Sequence, residues 1–290
     1  MSPVRFLVGL IISASIGWLA YKRGALSPSG VWGAIITGTV VFGFGGLTWG
    51  LVLVVFFVSS SLLSHFRRAQ KLQLADKFAK GERRDLGQTL ANGGVGALLA
   101  LAVLLFIDLP GEVRSGNPLY VFLTLAYFGA IATANADTWA TELGVLAPSR
   151  PRLITTGKEV PAGTSGGVTW QGSLAALAGG TFIGASAFLI IQVASLATSG
   201  QLLMADLPVI LIAGLAGFLG SMVDSLLGAT LQRVYWCDTC QKETERPVHS
   251  CGTTTSPRRG WGWLNNDVVN FLASAAGALI GGGLGLLILL

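Results

Sequence analysis

The chain has 290 residues, of which 52% are hydrophobic and only 11% charged. A soluble domain carries roughly 25% charged residues, so this composition excludes one and points to an all-α, polytopic membrane helix bundle. The net charge of +5 follows from membrane topology and is no argument for a nucleic-acid partner.

A bilayer span needs about 20 mostly apolar residues. In chain order, eight stretches qualify: 4–21, 31–45, 47–64, 90–107, 119–136, 168–196, 207–231 and 267–289. They read as one integral membrane domain over 1–290, with 232–266 as a loop inserted between the last two spans. The first run follows Arg5 and ends at Tyr21-Lys22-Arg23 without a small-residue cleavage site, so it reads as a retained anchor. Glycine, at 40 residues, is about twice as common as usual. Its densest stretch, Gly281-Gly282-Gly283-Leu284-Gly285, suits close helix approach in a membrane.

Eight spans put both termini on one side, and the loops 22–30, 65–89, 137–167 and 232–266 on the other. Those four loops hold every Lys and Arg of the 19 except Arg5 and Arg114. Basic residues collect on the cytoplasmic side. The expected location is therefore a multi-pass protein of a prokaryotic plasma membrane, with both termini outside and the four loops in the cytoplasm. The charged segment from His65 to Gly87 reads as a solvated loop or as a basic amphipathic helix lying on the membrane.

The fifth span runs into NADTWATELG, Asn135 to Gly144. On a helix, Asn135, Thr138 and Glu142 share one face, while Asp137 and Thr141 share a neighbouring one. Carboxylates at the edge of a bilayer are costly and commonly face a polar cavity in which they act. The loop that follows contains Lys158 and then Gly163-Thr164-Ser165-Gly166-Gly167-Val168-Thr169, running into the sixth span. A Gly- and hydroxyl-rich turn at a helix N-terminus offers backbone N–H groups and the positive dipole end to a phosphate. The Walker A spacing is absent.

The seventh span contains GSMVDSLLGATLQ, in which Asp224 is the only acid, with Gly220, Gly228 and Gln232 along its ridge. Such an Asp serves a ligand or is satisfied by nearby hydroxyls such as Ser221 and Ser225. The loop after it holds all three cysteines and a histidine: Cys237, Cys240, His249 and Cys251. Sets of this kind bind structural Zn²⁺ tetrahedrally, and a cytoplasmic disulfide would leave one cysteine over. The eighth span opens with WLNNDVVN, crowding Asn265, Asn266, Asp267 and Asn270 into its first turn. One of these caps the helix; a cap does not account for all four.

Three acidic helix ends and a phosphate-type turn on one face suggest one chemistry. Mg²⁺ prefers one or two carboxylates plus substrate phosphates, and phosphoryl transfer is mostly positioning and charge neutralisation. Three activities remain open: a kinase acting on a lipid phosphate, a cytidylyltransferase making a CDP-lipid, and a transporter or flippase for a phosphorylated lipid.

NADTWATELG, PRLITT…PAGTSGGVT, VDSLLGATLQ and NNDVVN, with the earlier GALSPSGVWGAIITGTVVFGFGG and QTLANGG, resemble the integral-membrane family once labelled domain of unknown function 92. That family includes human transmembrane protein 19 and a plant phytyl phosphate kinase. The resemblance implies a CTP-dependent kinase that converts an isoprenyl monophosphate to the diphosphate with Mg²⁺. By carry-over, Asp137, Glu142, Asp224 and Asp267 would serve metal and phosphate. Lys158, Thr164, Ser165, Gly166 and Gly167 would hold the nucleotide, and Asn92, Asn135, Asn266 and Asn270 would complete the polar cavity. The Cys/His set is not part of the family's eukaryotic pattern, which assigns its zinc to structure.

Overall fold

Segments that satisfy their backbone polar groups internally are the only ones a bilayer tolerates, and the apolar runs here fold accordingly. The computed structural model describes residues 3–66, 83–114 and 116–289. Among them, eight helices are long and apolar enough to cross a membrane. They are α1 (Pro3–Lys22), α2 (Pro28–Val40), α3 (Leu47–His65), α4 (Leu86–Val103), α5 (Pro118–Gly144), α6 (Trp170–Ser199), α7 (Pro208–Thr230) and α8 (Asn266–Leu289). α2 and α4 are each prolonged by a π-helical turn, Val41–Gly45 and Leu104–Asp108. The middle of the charged 65–87 segment, 67–82, lies outside the described residues.

The helix starts are written locally. Ser27 precedes Pro28 and takes the Gly30 N–H; Asn117 precedes Pro118 and takes the N–H groups of Leu119 and Tyr120. Asp85 and Gln88 form a capping box at α4. α6 ends where Gly200 turns left-handed at φ 71°, a conformation that suits glycine.

α5 is the hub. Every residue from Leu125 to Ala136 is buried, and α6, α7, α8 and α3 pack around it. Glycine sets the closeness of that packing. A Cβ at Gly129 would overlap the backbone of Gly277, and one at Gly217 would meet Ala132 and Gly180. α3 is joined by Tyr127, which stacks on Trp49 at 4.1 Å between centroids and donates its hydroxyl to the Trp49 carbonyl at 2.7 Å.

Two small sheets lie outside the helices. β1 (Arg152–Leu153) pairs antiparallel with β2 (Gly167–Val168). β3 (Val234–Cys237) is flanked by β4 (Lys242–Thr244) and β5 (Ser256–Arg259), both antiparallel to it. The sequence shows an all-α bundle with a Cys/His loop; these short strands carry no apolar alternation long enough to announce them.

Candidate functional site

Thr133 marks the layer on which the site is built. Its hydroxyl donates to the Gly129 carbonyl at 2.9 Å and to the Ala216 carbonyl at 3.2 Å. Gly220 of α7 and Gly277 of α8 close on it from two sides, and a Cβ at either would overlap its side chain. One turn along α5 stands Asp137, and one turn along α7 stands Asp224. Both helices run in the same sense here, so both carboxylates sit about 6 Å beyond the Thr133 layer. α8 runs in the opposite sense, and Asn270 and Asn266 occupy the ridge that carries Gly277.

Asp137 and Asp224 are charged neighbours, and a third carboxylate, Glu245, joins them from the loop after β4. Glu245 Oε1 accepts from Gln232 Nε2 at 2.7 Å and from Ser165 Oγ at 3.1 Å. Three acids thus meet where two of the signature stretches and the Cys/His loop come together. Asp224 Oδ2 is buried and accepts no hydrogen bond among the described residues, and Ser221 Oγ is likewise buried without a partner. The adjacent hydroxyls therefore do not satisfy this Asp. A buried carboxylate oxygen beside two further acids is a donor set that calls for a cation. The nearby Arg259 does not provide it. Its guanidinium donates to the carbonyls of Gly228 (2.9 Å), Ala229 (3.0 Å) and Ser165 (3.4 Å), holding the end of α7 to the 165 loop.

Asp267 lies in the first turn of α8 with Oδ1 buried. Asn265 Oδ1 takes the Val268 N–H at 3.1 Å, so the helix cap is Asn265.

The opposite flank of α5 is differently made. Asn135 is wholly buried; it accepts from Ser59 Oγ at 2.9 Å and donates to the Gly179 carbonyl at 2.8 Å. Its amide ties α3 and α6 to α5 and does not line a polar cavity, which corrects the expectation from sequence. Glu142 accepts from Ser64 Oγ at 2.7 Å, with Arg84 as a charged neighbour. It belongs to the α3 side, away from the helices that carry Asp224. Asn92 also stands apart: it donates to the Gln88 carbonyl at 2.9 Å and lines a groove among α1 to α4.

The expected phosphate turn is also corrected. Thr164 to Gly167 do not form the helix N-terminus. Gly167 is paired in β2, and α6 begins only after Thr169, whose hydroxyl already takes the Gly172 N–H at 3.0 Å. Gly166, at φ 80°, packs on Ala229 so closely that a Cβ would overlap it. Its role is close approach of this hairpin to α7. Lys158 is exposed near the hairpin tip, and Arg152 is paired with Glu159 at 3.4 Å, so neither base meets the carboxylates.

Cys237, Cys240, His249 and Cys251 gather with their ligand atoms within 4.8 Å of one another, a cluster that could hold a metal ion. Cys237 Sγ and Cys251 Sγ are 3.6 Å apart. Tetrahedral ligands on an ion with bonds of about 2.3 Å stand about 3.8 Å apart, so the cluster already has the required compactness.

The sequence signature of the integral membrane protein family DUF92 matches residues 11–278. The chain belongs to this family. Protein PGR of Arabidopsis thaliana is 35% identical over 271 residues, 93% of this chain and 92% of that protein. An uncharacterised membrane protein of Methanocaldococcus jannaschii is 28% identical over 96% of this chain and 93% of its own length. Protein VTE6, chloroplastic, also of Arabidopsis thaliana, is 24% identical over 88% of this chain and 64% of its own length. No solved structure matches. The chain is thus a multi-pass membrane protein of the DUF92 family.

Two residues of the site escaped the sequence reading. Glu245 sits in KETERP, where a charged loop is unremarkable, and only β4 and the bond to Gln232 bring it to Asp224. Arg259 looked like one more topological base. Its position at the end of β5, paired to the Val234 end of β3, carries it back to α7.

Proposed function

We propose that this protein is a Mg²⁺- and CTP-dependent kinase that adds a phosphoryl group to an isoprenyl monophosphate at the cytoplasmic face of a membrane. The observation that carries this reading is the group of Asp224 with its charged neighbours Asp137 and Glu245, with Asp224 Oδ2 buried and without a hydrogen bond among the described residues. Asp137 and Asp224, with Glu245 and Asp267 at hand, have the chemistry to hold Mg²⁺, which favours a few carboxylates together with substrate phosphates. When bound, the ion supplies neutralisation of phosphate charge. The motif resemblance to a plant phytyl phosphate kinase supports the same substrate class.

The chain's own residues have distinct tasks. Asp137 and Asp224 stand on packed helices, which hold their carboxyl groups in position. Ser165 and Gln232 orient Glu245. Asn266 and Asn270 contribute neutral donors on the α8 ridge, suited to phosphate oxygens. In-line transfer passes the γ-phosphoryl to the lipid phosphate oxygen, and the nucleoside diphosphate leaves. The Cys/His knuckle takes Zn²⁺ as a structural ion and holds the Glu245 loop in place. The four basic loops then lie in the cytoplasm, where nucleotide is found.

The test is a split-label assay on purified protein with phytyl monophosphate, Mg²⁺ and CTP labelled at either the γ- or the α-phosphate. Label entering the lipid from the γ position alone is the expected result. Label from the α position would make the protein a cytidylyltransferase. Passage of labelled lipid phosphate across vesicles without nucleotide, and no transfer of either label, would make the carboxylates part of a transport path.

A further inference from the structure

The Cys/His knuckle shows one thiol to solvent. Of its four ligand residues, Cys237 and His249 are buried, Cys240 is half-buried and Cys251 is exposed. Cys251 Sγ lies 3.6 Å from Cys237 Sγ and 3.2 Å from His249 Nδ1. A disulfide is about 2.05 Å long, so these two sulfurs would join by closing about 1.5 Å. The knuckle has little else to hold it together. Between α7 and α8, in residues 231–265, Val234 and Leu264 are the large apolar side chains that are buried. A unit of under about 40 residues generally needs a disulfide or a metal to keep its fold.

The same cluster closes a strap around Glu245. Cys240 stands before the segment 241–248 and His249 after it, so one ion would tie both of its ends. Within the strap, β4 pairs with β3, and the Thr255 hydroxyl donates to the Arg246 and Pro247 carbonyls, both at 2.8 Å. From the strap Glu245 accepts from Gln232 and Ser165, and by these bonds it is brought to Asp224. A two-stranded pairing of this length is weak by itself. Opening the cluster therefore loosens the segment that delivers the third carboxylate.

We propose that Cys251 is an oxidation site, through which a hydroperoxide opens the knuckle and withdraws Glu245 from the carboxylates. A metal-held cysteine is a thiolate. The Cys251 sulfur attacks one peroxide oxygen, the O–O bond breaks, and hydroxide leaves and takes a proton to become water. The sulfur is left as a sulfenic acid. The Cys237 thiolate then attacks it: the S–S bond forms, the S–O bond breaks, and a second hydroxide leaves and is protonated. The two sulfurs give up two electrons and one peroxide takes them. Cys240 and His249 are then two ligands where a structural zinc site needs four, so the ion is lost and the strap is untied. A thiol reductant returns both thiolates. The effect on phosphoryl transfer rests on the kinase reading; the oxidation and the loosening of the strap do not.

The test treats the full, zinc-loaded chain in detergent with a small excess of hydrogen peroxide. Zinc release is read with a chromogenic chelator, the disulfide by peptide mapping, and the strap by hydrogen exchange. Zinc should leave in step with a Cys237–Cys251 disulfide. Exchange over 241–248 should quicken by about tenfold or more, and γ-phosphoryl transfer should fall by about tenfold to a hundredfold. Dithiothreitol with added zinc should reverse all four changes. C251H, which replaces the exposed thiol with another zinc-binding group, should keep its zinc at the same dose of peroxide. D224N should release zinc as the wild type does. A chain that takes up no zinc, zinc retained under peroxide, a disulfide on other cysteines, unchanged exchange over 241–248, or C251H as sensitive as the wild type would overturn the proposal. Zinc release, the disulfide and faster exchange in a chain that transfers no label would leave the switch standing and remove the kinase reading. Transfer unaltered by complete oxidation would keep the kinase reading and sink the switch.

Discussion

The two flanks of α5 carry polar residues within ten positions of each other and use them in opposite ways. Towards α3 and α6, Asn135 is matched on both sides of its amide by Ser59 and Gly179, and Glu142 accepts from Ser64. Towards α7, Asp224 has Asp137 and Glu245 as charged neighbours, and one of its oxygens has no hydrogen bond among the described residues. A polar group satisfied within the bundle holds helices together. A buried carboxylate oxygen beside like charges and without a hydrogen bond among the described residues is a cost that a bundle does not keep for stability. Residue type alone does not separate the two cases; the partner on the neighbouring helix does.

The sharpest way to break this contrast is to neutralise the α7 side. D137N and D224N should each lower phosphoryl transfer on the order of a thousandfold or more. Each removes one charge from a crowd of like charges, so the melting temperature should hold or rise. Full activity in either variant would return that acid to the structural class. The next effect comes from the loop that delivers Glu245. E245Q and C237S should each reduce turnover by about tenfold to a hundredfold, as losses in a supporting shell commonly do. A strong zinc chelator should match C237S. Loss of metal from C237S with no change in turnover would detach the knuckle from the carboxylates.

The helical skeleton was legible in the sequence because hydropathy, caps and glycine all act locally. Ser27-Pro28, Asn117-Pro118 and the Asp85–Gln88 box mark helix starts that the structure keeps. The ridge from Gly220 through Asp224 and Gly228 to Gln232 was also visible, and its four residues meet Thr133, Asp137, Gly166 and Glu245 in turn. What escaped depended on contacts distant in sequence. Asn135 and Asp137 look alike in NADTWATELG, yet two residues turn a helix by about 200°, which sends them to different neighbours. The TSGGVT turn resembles a helix start until Thr169 is seen to be the cap. Its glycines serve strand pairing and the close approach of Ala229 instead.

On the α3 side the expected effect is on stability. N135A removes the bonds to the Gly179 carbonyl and from the Ser59 hydroxyl, which keeps only its 3.2 Å bond to the Phe56 carbonyl, and the loss of such buried bonds costs about 1 kcal/mol or somewhat more. Thermal unfolding in detergent should register it, while activity per folded molecule stays within about twofold of the wild type, well under the 1.4 kcal/mol that a tenfold change represents. A loss of turnover as deep as that of D137N, with stability retained, would make the two flanks equivalent and end the distinction between them.

The smallest effect expected is at Lys158. The side chain is exposed near the tip of the β1–β2 hairpin, beyond the Arg152–Glu159 pair, whose 3.4 Å contact is itself exposed. An exposed pair contributes at most about 1 kcal/mol, and a lone exposed lysine less. K158A should therefore leave stability unchanged and shift the KM for CTP by less than about twofold at physiological salt, where charges beyond about 8 Å are screened. The hairpin is anchored at its other end, where Gly166 lies on Ala229 and Ser165 bonds Glu245, so its tip is held away from the acids. A tenfold rise in KM with unchanged kcat would mean that the hairpin folds over bound nucleotide, and the basic residue would then rejoin the site from which its exposed position separates it.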